Sequence, residues 1–114
     1  MHEVGIAQSL IEQMEKKVAE LNQPVKALKL SVLLGKLAGV SAEALRFGFE
    51  IAKQDSQIPF AQLEIEEVPL RLNCPACQLT FQSEDIKQRC PRCGKDSLKL
   101  ISGRELKLKT VEYE

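Results

Sequence analysis

The sequence has no surplus of either charge. Sixteen lysines and arginines face sixteen aspartates and glutamates in 114 residues. The basic footprint of a nucleic-acid binder is therefore missing, and no nucleic-acid partner is expected. No apolar run approaches the roughly 20 residues needed to span a bilayer, so no membrane partner is expected either. No secretory leader is expected: QSLIEQMEKKVAE is charged and has no cleavage pattern. The expected location is the cytosol. The chain has no second histidine, no nucleotide-binding glycine motif and no evident nucleophile–base pair. These absences argue against an enzyme. No internal repeat or low-complexity segment occurs.

What is present is a short chain with a thin core, the kind that benefits from a metal or disulfide staple. Apolar residues at Ile6, Ala7, Leu10, Ile11, Met14, Val18 and Leu21 form a helical stripe over residues 4–21. NQP ends it. Leu28, Leu30, Val32 and Leu34 alternate with other residues, which predicts a strand with one buried face. Gly35 and Gly39 frame a loop. Ser41 is placed to cap a second helix, AEALRFGFEIAKQD, with Glu43 near its positive end. Its expected inner face is Leu45, Phe49 and Ala52, widened by Phe47 and Ile51. QLEIEEVPLRL reads as a second strand region with Leu63 and Ile65 inward. Residues 74–96 lack apolar periodicity. SLKLISGRELKLKTVEYE then reads as strand, turn, strand, the last strand returning to the first sheet. Val111 and Tyr113 fall out of phase with Leu106 and Leu108, which predicts a bulge or a strand end.

All four cysteines lie within twenty residues, as CPAC and CPRCG separated by twelve residues. In a reducing cytosol this pattern favours metal over disulfides. Each Cys-x-x-Cys turn aims two sulfurs at one point, and two such turns supply tetrahedral corners for zinc. Cys74, Cys77, Cys90 and Cys93 are thus the expected ligands, although four sulfurs accept iron as well. A thioredoxin-like redox pair would sit at a helix start after a strand, whereas these pairs sit among Pro75, Pro91 and Gly94. With all four thiolates used, the site is closed and structural. Lys87, Arg89, Arg92 and Lys95 offset its negative charge.

The sole histidine is His2, one peptide bond from the amino terminus. The Met1 amine, the His2 amide and the His2 imidazole lie close together in covalent geometry. A metal that displaces the amide proton closes two small chelate rings with them. A planar, nitrogen-rich site of this kind suits Ni(II) or Cu(II) better than zinc. Glu3 can approach the metal, accept a bond from the other ring nitrogen or lend its own amide. The plain alternative is a solvated histidine beside a carboxylate that favours the start of the first helix.

Taken together, MHE with VGIAQSLIEQM, LLGKLAGVSAEALRFGFE, CPAC, CPRCG and ISGRELKLKTVEYE make the chain resemble the HypA/HybF family. These are nickel-insertion accessory proteins of [NiFe]-hydrogenase maturation. The resemblance implies an α+β fold, two helices packed on a small, mostly antiparallel sheet, with an inserted four-cysteine zinc module. It implies a nickel-binding domain beginning with residues 1–72, a zinc module at 73–97 and strands at 98–114 returning to the first domain. His2, joined by Met1 and with Glu3 beside it, becomes the nickel site, and the cysteines become the zinc site. The implied function is a nickel metallochaperone serving the hydrogenase large subunit precursor, and for some members urease, together with a maturation GTPase. The loop GKLAGVS has no carboxylate before Glu43, so any contribution from it would come through backbone or Ser41. The alternative from the residues alone is a zinc-ribbon adaptor that binds protein or nucleic acid.

Overall fold

The computed structural model describes residues 2–114. Met1 and the side chain of His2 lie outside the described residues. Helix α1 runs His2–Leu21, so it takes in the segment ahead of the apolar stripe. It ends at Asn22, whose φ of 54° is the left-handed conformation common just past a helix. Strand β1, Leu28–Gly35, buries Leu28, Leu30, Val32 and Leu34, as the alternation predicts. Helix α2, Ala42–Gln54, is capped by Ser41, whose hydroxyl accepts the Ala44 N–H at 3.1 Å.

The inner face of α2 is narrower than expected. Leu45, Gly48 and Phe49 are buried, but Phe47 is 67% exposed and Ile51 53%. At about 100° per residue, Phe47 lies about 160° and Ile51 about 120° around the helix from Leu45, so neither shares its face.

The expected second strand region is two strands, β2 (Ala61–Val68) and β3 (Leu70–Cys74). Pro69 separates them because it has no N–H to give a ladder. The cysteine-bearing stretch contains a strand that its composition did not suggest, β4, Leu79–Ser83. Strands β5 (Lys99–Ser102) and β6 (Leu106–Tyr113) follow. β6 runs unbroken through Val111 and Tyr113, so no strand end falls there. Between the pairs Ala27–Glu114 and Gly35–Glu105 it carries one residue more than β1, which is the expected bulge.

The strands form two three-stranded sheets, β2-β1-β6 and β4-β3-β5. β1 and β6 are antiparallel, with Ala27 and Glu114 bonded at one end and the Gly35 N–H donating to Glu105 at the other. β1 and β2 end side by side, where the Lys36 N–H donates to Val68. With α2 as the crossover between them, this is the arrangement of parallel neighbours. In the second sheet both pairings are antiparallel.

The chain divides into two compact units. The first comprises residues 1–32, 40–66 and 108–114. Its core joins Ala7, Ile11 and Met14 of α1 to Leu28 and Leu30 of β1, Leu45 and Phe49 of α2, and Ile58 and Ala61. Leu63 and Ile65 pack against that core, as expected. The second unit comprises residues 33–39 and 67–107. It buries Leu34, Leu70, Leu72, Cys74 and Cys90.

Within the second unit the glycine loop is pinned by backbone bonds. Gly35 N–H donates to Glu105 and Leu37 N–H to Gly103, each at 2.6 Å. A Cβ on Gly35 would overlap the Gly103 carbonyl, which is backbone and cannot rotate aside. Gly35→Ala should therefore lower stability by about 1–3 kcal/mol, the range for overpacking. Urea unfolding checks this, and a native midpoint in the variant would contradict the close approach.

Candidate metal centre

Cys74 ends β3 and Cys77 lies in the turn that leads to β4. Cys90 and Cys93 lie on a second turn beyond β4. The two turns are built alike. Gln78 N–H donates to the Cys74 carbonyl at 2.7 Å, and Gly94 N–H to the Cys90 carbonyl at 2.9 Å. Both closing residues are left-handed, with φ of 66° and 76°. Gly94 takes that conformation without steric cost. Gln78 does not, but its amide side chain donates to the Pro75 carbonyl at 3.2 Å across the same turn.

This geometry brings all four sulfurs within 4.8 Å of one another. Cys74 Sγ lies 3.5 Å from Cys93 Sγ, and Cys77 Sγ lies 3.5 Å from Cys90 Sγ. A tetrahedral zinc with bonds near 2.3 Å would hold its sulfurs about 3.8 Å apart, so the arrangement fits that ion. The four thiols are not in disulfides. Cys74 and Cys90 are buried, Cys77 is half-buried and Cys93 is exposed.

The turns also prepare the sulfurs to ionise. The Cys77 N–H lowers the Cys74 thiol against the opposing effect of burial. Burial acts most strongly on Cys90 and raises it, yet the N–H groups of Cys93 and Arg92 and the neighbouring thiols hold it at about 6. At Cys77 the Leu79 N–H pulls downward, but burial and the other three sulfurs push the thiol up to about 11. Four sulfurs this close cannot all carry charge unaided, because like charges oppose one another's ionisation. A divalent cation removes that conflict. Of the four nearby basic residues, Arg89 reaches the second turn, its guanidinium donating to the Gly94 carbonyl at 3.4 Å.

The other expected site lies in the first unit. The backbone of His2 opens α1, and Glu3 occupies its first turn. Glu3 is buried, 8% exposed, and its Oε2 accepts the Ser41 N–H at 3.0 Å. The positive amino terminus first, and then the Ser41 N–H, hold its carboxyl at about 2, so it is ionised. Glu3 is thus tied to the cap of α2 rather than only to the start of its own helix. Ser41 was legible as a cap. Its bond to Glu3, 38 residues away, had no sequence signal.

Comparison with known proteins agrees with this architecture. Residues 1–113 match the family model for HypA, described as hydrogenase/urease nickel incorporation, metallochaperone. A hydrogenase maturation factor HypA from Roseiflexus sp. is 38% identical, with 100% of this chain and 93% of the relative covered. The HypA of Synechococcus elongatus is 41% identical, with 98% of each covered. The solution structure of the Ni metallochaperone HypA from Helicobacter pylori shares the fold at a TM-score of 0.60 and 23% identity, covering 99% of this chain and 97% of that one. A second HypA solution structure does so at 0.67 and 24%, covering 100% and 97%.

If the four sulfurs hold one metal, Cys74→Ala should release it and disorder the two turns, since such modules draw folding energy from the metal. The helices should persist, because their core residues lie in the first unit. Metal analysis with circular dichroism reads both effects. Full metal occupancy and native local order in the variant would contradict the assignment.

Proposed function

The chain belongs to the HypA family of hydrogenase and urease nickel-incorporation metallochaperones, and on that premise we propose that it binds Ni(II) at its amino terminus and delivers it to the [NiFe]-hydrogenase large subunit precursor. The proposed ligands are the Met1 amine and His2, with Glu3 beside them. Cys74, Cys77, Cys90 and Cys93 hold zinc in a structural role. A maturation GTPase is the proposed partner in delivery, urease is a second destination, and the cytoplasm is the setting.

One observation carries the nickel reading: α1 begins at His2. The first N–H groups of a helix have no acceptor within it. Displacing the His2 amide proton with a metal therefore breaks no helical hydrogen bond. The field at a helix start also favours negative charge, which eases loss of protons from the amine and the amide. The zinc reading rests on the fit of four sulfurs to a tetrahedral ion. Thiolates on one site and nitrogens on the other keep the two metals apart by ligand chemistry.

Nickel titration of the native chain, His2→Ala and a chain extended by one glycine before Met1 tests the site. His2→Ala should weaken nickel binding by more than about tenfold, at least roughly 1.4 kcal/mol, and leave zinc content unchanged. The extension keeps the imidazole but puts a peptide nitrogen where the amine was, and it should lose the native visible absorption. Protons compete for the amine, of reference pKa about 7.7–8.0, and for the imidazole, about 6.5. Affinity should therefore fall as pH drops from about 8 to 6. Identical nickel spectra and affinities in the three chains would refute the amino-terminal site.

A further inference from the structure

Two contacts in the first unit fix the turn that carries the proposed nickel ligands, and both come from α2. The first is at its cap, where the Ser41 N–H donates to Glu3 Oε2 at 3.0 Å. The second lies further along the helix, at Gly48. A Cβ built there would stand 3.4 Å from Val4 Cα, 3.5 Å from Ala7 Cβ and 3.6 Å from the Glu3 carbonyl oxygen. The Cβ itself would just reach contact. A longer side chain would have to push the backbone of residues 3 and 4 away. Glycine inside a helix costs about 1 kcal/mol relative to alanine. Here that cost accompanies a seam in which α1 rests directly on the α2 backbone.

We propose that α2 positions the nickel-binding turn, through the Ser41 N–H and the bare Cα of Gly48. The proposal rests on the amino-terminal nickel reading above. Glu3 is held on two sides, its carboxylate by Ser41 and its carbonyl over Gly48. The backbone immediately ahead of it must flatten to place consecutive nitrogens in a plane around nickel. Glu3 is the fixed point from which that flattening starts. Among the described residues, Ser41 meets Glu3, and Gly48 meets Glu3, Val4 and Ala7, so both act as positioning residues.

The test reads nickel affinity and visible nickel absorption in paired variants of the full chain. Gly48→Leu wedges the seam. Gly5→Leu puts the same side chain on the first turns of α1 at a position where a Cβ meets nothing within 4 Å. Gly48→Leu should weaken nickel by about tenfold or more and shift its absorption, with zinc content and helicity retained. Gly5→Leu should match the native chain. Native affinity and absorption in folded Gly48→Leu would overturn the proposal. A second pair decides if Gly48→Leu does not fold. Ser41→Ala loses the hydroxyl cap but keeps the N–H to Glu3. Ser41→Pro loses both, and the native φ of −79° suits proline. Weaker nickel binding in Ser41→Pro than in Ser41→Ala supports the proposal, and equal binding sinks it. If the native chain and His2→Ala bind nickel alike, the amino-terminal reading fails and takes this proposal with it. If His2→Ala loses nickel while these variants keep it, only the positioning role fails.

Discussion

Mutual repulsion among four sulfurs is the constraint on which the second unit turns. Cys74 closes the β3–β4 pairing opposite Leu79, while Cys90 and Cys93 arrive from beyond β4. Nothing in the backbone ladder of β3 and β4 requires the second pair to sit against the first. A cation bound by all four would. The local N–H groups aimed at Cys74 and Cys90 go part of the way by favouring thiolate there. The crowding that pushes Cys77 upward marks the limit of what backbone donors can do alone.

The first unit solves a different problem with different means. Its chemistry-bearing end is the start of a helix, the part of a protein most prone to fray. The remedy is long-range. Glu3 is buried and ionised, and it is paid off by a backbone donor from a helix cap 38 residues away. The same cap also receives its own serine hydroxyl bond at Ala44. One residue, Ser41, thus begins α2 and holds α1 at once.

Much of this was readable from the chain. The periodicity of α1 and α2, the alternation of β1 and the Ser41 cap are local patterns, and local patterns survive folding when burial agrees with them. The cysteine spacing was legible for the same reason, since two short turns dictate most of the sulfur geometry. The errors share a cause. Phe47 and Ile51 are apolar but face solvent, because hydrophobicity gives identity and only helical phase gives direction. QLEIEEVPLRL reads as a single strand region because each half alternates, while the missing N–H of Pro69 lets the halves pass into different sheets. β4 has little signal of its own, because what fixes it is pairing with β3, and pairing is not encoded in five residues. The Glu3–Ser41 bond and the Gly48 seam depend on how two helices meet, which no single window contains.

The four cysteines are unequally covered: two are buried, one is half-buried and Cys93 faces solvent. If the four sulfurs hold one metal, Cys93 is the corner that a competing chelator reaches first. That corner belongs to the second turn, which the Gly94–Cys90 and Cys90–Lys95 backbone bonds close.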